Sequence, residues 1–467
     1  MEYRGKKIVV MGLGGYRDGS GITAALYFAK SGAKEVLVTD LKSEDELREQ
    51  IKRLKKFKNV RFVFGKHREK DFEKADIVFQ NPSVPDSSPY LSIARKNGTP
   101  IMNDWSAFLE KNGNFLIGVT GTRGKSTTTA LIYEIIKNAS KRKVFLCGNI
   151  GVSPLKYADQ IKKDDVVVAE LSSWLLRGFR AVKKSPNIAV LTNLLKDHLD
   201  KYDSLEAYYK DKENIFLFQK KKDVLVANKD DAEVRKRVAK AKAKIIWFSL
   251  KPFLRYDGSY IKNGKIYFRS GGREEFVAYA KDVRIKGEAN LQNALAAVTA
   301  AMAFGAGVRS VRSALKSFNG LPGRLELAAS KNGAAFYNDT TSTTPDAAIS
   351  ALKTLWDKKK RIILIAGGQD KKLDFKEFAK EVKKTVKEII LLKGSASEKI
   401  KDELQKIKIG FSEVSSMREA VKVALSSAKR GDVILLSPAA ASFGMFKNEY
   451  DRGDQFNREV RNILRKK

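Results

Sequence analysis

A chain of 467 residues with 43% hydrophobic side chains is long enough for about three domains with packed cores, which excludes both a disordered chain and one small module. No run approaches the roughly 18 apolar residues of a membrane span, and a single cysteine, Cys147, excludes an internal disulfide and a cysteine-built zinc site. The formal charge of +36 could mark a nucleic-acid binder, an attraction to anionic membrane surfaces or a lysine-rich proteome; it is spread over lysines along the whole length, among them Lys52, Lys55, Lys162, Lys163 and Lys220, and reads as solvated surface more than as a nucleic-acid footprint.

Residues 1–7 lead into an apolar strand and not into a secretion signal, so the expected location is the cytoplasm. That strand ends in Gly12-Leu-Gly14, a helix follows over residues 22–29, and a second strand over residues 35–40 delivers Asp40. This is a Rossmann-like opening, but Arg17 stands where the dinucleotide fingerprint has its third glycine. Gly14 and Asp40 therefore suit a nucleotide-sugar diphosphate better than NAD, the alternative being a structural turn with an acid at the strand end. Further strands are expected in residues 76–85, stopped by two prolines, and at 100–105, and the Gly/Asn turn at 111–114 closes a first domain, residues 1–112.

Residues 115–120 form an apolar strand running into Gly-Thr-Arg-Gly-Lys-Ser-Thr (121–127), and a helix with an apolar face follows. Gly121 and Gly124 let backbone N–H groups converge on a polyphosphate; the helix N-terminus and Lys125 supply positive charge, and Ser126 offers a hydroxyl to Mg²⁺. The glycine before this loop, Gly118, lies one place earlier than in the usual P-loop. Two more buried strands, residues 165–170 and 187–193, deliver Glu170 and then Asp197-His198 to the same end of a parallel sheet. A helix over residues 204–218 carries Lys212. Oxygen and nitrogen ligands brought together in this way suit a metal.

Residues 224–279 read as a small antiparallel appendage with turns at Asp257-Gly258, Asn263-Gly264 and Gly271-Gly272. A helix from residue 287 to 304 places Asn290 and Asn293 on one face, where they suit a purine edge; capping is the alternative for Asn290. The middle domain is expected to span 113–320. Beyond the hinge at 320–326, buried strands at 335–339, 361–368, 388–392 and 432–437 separated by helices predict a third α/β domain, 321–467. It has no P-loop of its own and is expected to close over the central nucleotide.

The ordered motifs are Gly-Thr-Arg-Gly-Lys-Ser, Gly148-Asn-Ile-Gly, Glu170-Leu-Ser-Ser, Asn193-x-x-x-Asp-His198, Tyr209-x-x-Lys212, Gly287-x-x-Asn-x-x-Asn293, Pro322-x-Arg-x-Glu326, Asn338-Asp339, Gly367-Gly-x-Asp-Lys371 and Leu436-Ser-Pro-x-x-x-Ser442. Over its whole length the chain resembles the Mur ligase family, and within it the members that join D-glutamate to UDP-N-acetylmuramoyl-L-alanine. The resemblance implies a three-domain α/β fold and an ATP-dependent amide ligase of peptidoglycan precursor synthesis. ATP phosphorylates a substrate carboxylate, and an amine then attacks the acyl phosphate.

Carried over residue by residue, the resemblance implies catalytic roles for Lys125, Asn149, His198 and Lys212. ATP contacts fall to Gly121, Thr122, Gly124, Lys125, Ser126 and Thr127, and from later in the chain to Asn290, Asn293, Arg324 and Asp339. One Mg²⁺ falls to Ser126 and Glu170 and a second to His198, with Lys212 carbamylated so that an ammonium becomes an anionic ligand. Gly14 and Asp40 are implied for the UDP-sugar, and Thr343, Lys371 and Ser442 for the amino acid. A monomer is expected, with no nucleic-acid partner and no stable membrane insertion.

Ala289, Gly323, Thr341, Gly444 and Glu449 depart from the family's residues at their positions. The departures near the amino-acid end leave open another Mur-type ligase with a different amino acid or acceptor. A nucleic-acid-dependent P-loop NTPase is the alternative outside the family.

Overall fold

Three sheets, all built on buried β-branched strands, carry the chain in the computed structural model, which describes residues 3–14, 18–150, 152–196, 202–331, 333–356, 361–371 and 373–465. Residues 1–283 with 292–316 form one compact unit, and residues 284–291 with 317–467 form another.

The first sheet is wholly parallel, in the order Val60–Phe64, Glu35–Asp40, Lys7–Met11, Ile77–Gln80, Ile101–Met102. Chain order reverses between Lys7–Met11 and Ile77–Gln80, the switch point where open parallel sheets bind ligands beyond their strand ends. The Gly12-Leu-Gly14 turn lies there, and a side chain at Gly12 would meet Asn81 Cβ at 3.0 Å. Two expectations change. Val60–Phe64 is an additional edge strand, and the strand expected at 100–105 shrinks to two residues because a helix, Asp104–Lys111, starts inside it. Asn103 accepts the N–H groups of Trp105 and Ser106 at 3.0 and 3.1 Å, and Ser106 Oγ accepts the Asn103 N–H at 2.9 Å. This capping box overrides the apolar run.

The second sheet has nine strands, from Val144–Gly148 at one edge through Val166–Glu170, Phe115–Thr120 and Ile188–Leu191 to Arg273–Tyr279 at the other. The appendage expected over 224–279 is smaller than its sequence suggests. Val224–Asn228 and Lys244–Ser249 extend the parallel sheet, with a crossover helix, Ala232–Val238, between them. Only Gly258–Lys262, Lys265–Ser270 and Arg273–Tyr279 form the antiparallel corner. Buried Asp104 ties this sheet to the first: it accepts hydrogen bonds from Ser20 Oγ, on the helix after the glycine turn, and from Ser153 Oγ, beyond the Gly148 loop.

In the other unit the sheet order is Glu326–Lys331, Ala334–Asn338, Val433–Leu436, Ile362–Gly367, Val386–Leu392, Ser412–Val414, parallel except for the first strand. The two edge strands, Glu326–Lys331 and Ser412–Val414, go beyond the four strands read from sequence. Apolar residues fill both faces, Leu352, Phe378 and Ile400 on one and Val421, Phe456 and Val460 on the other.

Candidate active site

Four parallel strands end level with one another: Val119 pairs with Glu170, Gly148 with Glu170, and Thr120 with Leu191. The loop after Phe115–Thr120 then turns at two glycines whose geometry admits no side chain. At Gly121 (φ 152°) a Cβ would fall 1.9 Å from Thr192 Oγ1, and at Gly124 (φ 78°) 2.0 Å from Asn293 Oδ1. Gly124 is the N-cap of the helix Lys125–Ala139 and offers no side-chain acceptor, so the positive end of that 15-residue helix faces the loop.

The end of the neighbouring strand, Ile188–Leu191, holds the loop in shape. Asn193 accepts the Arg123 N–H through Oδ1 at 2.8 Å and the Thr122 N–H through its carbonyl at 3.0 Å, while Thr192 Oγ1 donates to Arg123 O at 2.7 Å. Lys125 Nζ donates to Thr122 O at 2.9 Å. Lys212 Nζ, from the helix Leu205–Glu213, donates to Gly121 O at 2.8 Å and lies 4.6 Å from the Tyr208 ring centroid. Lys212 is buried, at 2% exposure, where sequence without the motif would put one more surface lysine.

Glu170 is the last residue of its strand and 2% exposed; Asn149 Nδ2 donates to its Oε1 at 3.4 Å, and its Oε2 has no hydrogen-bond partner among the described residues. A buried carboxylate oxygen left without a donor suits a divalent cation, as does the hydroxyl of Ser126, 8% exposed in the first turn of the helix. The residues present thus fit Mg²⁺. His198 lies outside the described residues, and among those described no three His, Cys, Asp or Glu side chains converge on one point.

In the first sheet, Asp40 engages the glycine turn itself. Its Oδ2 accepts the Leu13 N–H at 2.7 Å and the Gly14 N–H at 3.4 Å, and its Oδ1 accepts the Lys42 N–H at 3.0 Å. The carboxylate thus also holds the shape of the glycine turn. Asn293 is buried against Gly124, as above, at 8% exposure.

The second compact unit holds the remaining candidates. Asn290 Nδ2 donates to Lys286 O at 2.9 Å, a contact one helical turn back. Asp339 Oδ2 accepts from Ser437 Oγ at 2.8 Å and Ser342 Oγ at 2.5 Å, and its Oδ1 accepts the Leu325 N–H, next to Arg324, at 3.1 Å. Burial pushes the Asp339 carboxyl up to about 6 against these hydrogen bonds and the nearby Arg324 charge. Lys371 Nζ donates to Thr343 Oγ1 at 3.0 Å, so these two candidates meet, and Ser442 is buried in the loop after Val433–Leu436. Arg452 joins the two loops that carry them: fully buried, it donates to Thr340 Oγ1 and Thr340 O at 3.0 and 2.8 Å and to Ala440 O at 3.1 Å.

Sequence reading gave no role to Thr192, Asn193 or Arg452. Asn193 carried a signal, a polar residue just past a buried strand. Arg452, in a helix rich in exposed charges, carried none.

Comparison with known proteins places the whole chain. The family model described as Mur ligase middle domain matches residues 119–301. Those described as Mur ligase, glutamate ligase domain and as Mur ligase MurD-like, N-terminal domain match residues 323–440 and 6–103. The chain is 38% identical over 471 residues to a UDP-N-acetylmuramoylalanine--D-glutamate ligase of Roseiflexus sp. (strain RS-1), covering 98% of this chain and 99% of that one. A protein of the same name from Thermoanaerobacter sp. (strain X514) is 37% identical over 469 residues, with 100% of each chain covered. The crystal structure of a UDP-N-acetylmuramate-alanine ligase from Thermotoga maritima shares the fold, with a TM-score of 0.61 at 20% identity over 98% of this chain and 100% of that one.

Proposed function

We propose that this chain, which belongs to the Mur ligase family, uses ATP to join D-glutamate to UDP-N-acetylmuramoyl-L-alanine in peptidoglycan precursor synthesis. The observation that carries the reading is the phosphate loop at Gly121–Lys125, with buried Lys212 donating to Gly121 O at 2.8 Å, in a chain matching ligases of that name end to end. The attendant division of labour gives residues 1–112 the UDP-sugar, 113–320 ATP and 321–467 the amino acid.

In this reading the loop N–H groups and the helix N-terminus receive the triphosphate, and Lys125 leaves Thr122 O for the β- and γ-phosphates. The substrate carboxylate takes the γ-phosphoryl group, and the amine of the amino acid displaces phosphate from the acyl phosphate so formed. Asn149, which donates to Glu170 Oε1, is assigned to that acyl phosphate. Ser126 and Glu170 would hold Mg²⁺, which when bound neutralises charge on the phosphate oxygens; His198 is assigned to a second ion. Lys212, carbamylated, would turn from a donor to Gly121 into an acceptor. Asn290, Asn293, Arg324 and Asp339 are assigned to ATP; Thr343, Lys371 and Ser442 to the amino acid; Gly14 and Asp40 to the UDP-sugar. The enzyme acts as a cytoplasmic monomer without nucleic acid. No helix among the described residues is long and apolar enough to cross a membrane.

Phosphate release from ATP in the presence of UDP-N-acetylmuramoyl-L-alanine, followed with D-Glu, L-Glu, D-Asp or meso-diaminopimelate, tests the specificity. Stimulation by D-Glu is expected. Stimulation by another amino acid only would favour the second reading, a Mur-type ligase of different specificity. The residues that favour it are Thr341, Gly444 and Glu449, which stand near Ser442 and Thr343 where other side chains are usual in the family.

A further inference from the structure

The +36 charge has no role in the ligase chemistry, and along the sequence its lysines form no patch. The antiparallel corner assembles one. Strand register aligns Tyr260, Tyr267 and Phe276 in one cross-strand row and Lys262, Lys265 and Tyr279 in the next, on the same face. The rings of the first row lie 6.0 and 6.1 Å apart. Residues 250–257 fold over this face, with Phe253 packed 4.8 Å from Tyr260, and leave a groove of about 480 Å³ lined by Phe253, Leu254 and Tyr256. From the rim protrude Leu254, 65% exposed, and Tyr256, 44% exposed.

Lys251 precedes these two side chains in sequence and Arg255 lies between them, and Lys229, Arg255 and Lys262 line the groove. Of the acids at this corner, Asp257 pairs with Lys244 at 2.7 Å and Glu274 with Arg269 at 3.8 Å, while Asp230 accepts from Ser249 Oγ and the Leu250 N–H, and exposed Glu275 has no ion-pair partner among the described residues. Among the described residues Lys251, Arg255, Lys262 and Lys265 have no ion-pair partner, so the corner keeps a local excess of positive charge around an apolar tip.

We propose that this corner is a docking surface for an anionic membrane. An exposed leucine reaches the boundary between headgroups and acyl chains, a tyrosine ring sits at the interface, and lysine stems lie along it with their ammonium groups among the headgroups. A single-stranded nucleic acid suits the corner less well, because it needs open ring faces for its bases. Here Lys229 Nζ lies 5.1 Å from the Tyr256 ring, Lys281 and Lys265 Nζ lie 5.6 and 5.9 Å from the Tyr279 ring, and Tyr260 is fully buried.

The test is co-sedimentation of the full chain with vesicles of phosphatidylcholine alone or mixed in equal parts with phosphatidylglycerol. Partitioning is expected to rise about tenfold or more on the anionic vesicles and to fall at high salt. Leu254→Ser/Tyr256→Ser and Lys262→Glu/Lys265→Glu should each reduce it at least about fivefold, with the melting temperature and the vesicle-free ligase turnover unchanged. Lys162→Glu/Lys163→Glu, an equal charge change on another exposed surface, should leave it nearly intact. Three results would overturn the proposal: no preference for anionic vesicles, an equal loss in the Lys162/Lys163 variant, or retention of poly(U) with no vesicle binding.

Discussion

At the scale of single residues, Lys125 and Lys212 both donate to loop carbonyls, but their burial differs and so do the expected consequences of replacing them. Lys125→Ala removes a partly exposed amine, so stability should hold while ATP turnover falls about 100- to 1,000-fold, as loss of a charge-stabilising donor does. Lys212→Arg keeps the charge but cannot be carbamylated, and its larger head must fit a site 2% exposed. Phosphate release should drop by about 100-fold or more, with far less effect on folding. Normal turnover in that variant would reduce Lys212 to a brace for Gly121.

Asp339 gives a pH-dependent prediction of the same scale. Its folded pKa, about 6, lies above the ordinary aspartate value of 3.8, so the protonated form favours the folded state. The stabilisation is complete below the unfolded value and is lost as pH rises through the folded one. The difference amounts to about 3 kcal/mol between roughly pH 4 and pH 6. Asp339→Asn removes the titration, so the stability of the variant relative to wild type, followed by denaturant unfolding, should rise across that window. A difference that stays flat with pH would contradict the burial argument.

At the scale of elements, the helix Leu205–Glu213 is held on two sides of Lys212. Arg237, on Ala232–Val238, donates to Glu213 at 2.8 Å and to Glu206 and Glu233 at 2.5 Å, and Lys240 adds 2.5 Å to Glu213. Arg177 donates to Asp211 at 2.6 Å and also to Asp86 in the first sheet's loop. Arg237→Met strands the Glu213 carboxylate, 3% exposed, with Lys240 as partial compensation, and should cost about 3 kcal/mol. Glu206→Ala, at a side chain 55% exposed, should cost under about 1 kcal/mol. Chemical denaturation of the two variants separates a buried cluster from a surface pair.

What the sequence made legible follows the same division. The phosphate loop could be read because its glycines, lysine and serine are contiguous, so the chemistry and the turn are written together. Asn193 bonds to Arg123 across 70 residues and Arg237 to Glu213 across 24, and no local pattern announces either pair. The parallel pairing of Val224–Asn228 and Lys244–Ser249 was missed for a related reason. Their crossover helix, Ala-Glu-Val-Arg-Lys-Arg-Val, is short and basic and hides its apolar face.

At the scale of the whole molecule, each sheet brings its candidates to strand ends or to the loops just beyond them: Gly14 in the first, Gly121 and Glu170 in the second, Asp339 and Ser442 in the third. The family likeness spans all three, which is why the fold class and the reaction could be expected from sequence. The amino-acid end was less legible, because recognition there depends on loops that depart from the family at Thr341, Gly444 and Glu449.

The central claim is that the chain activates a substrate carboxylate by phosphorylation before an amine attacks it. UDP-N-acetylmuramoyl-L-alanine labelled with ¹⁸O in its terminal carboxylate, incubated with ATP, Mg²⁺ and D-glutamate, tests this directly by mass spectrometry of the phosphate released. One labelled oxygen in each phosphate, formed together with the amide, is the predicted result. Unlabelled phosphate released with no amide would contradict it.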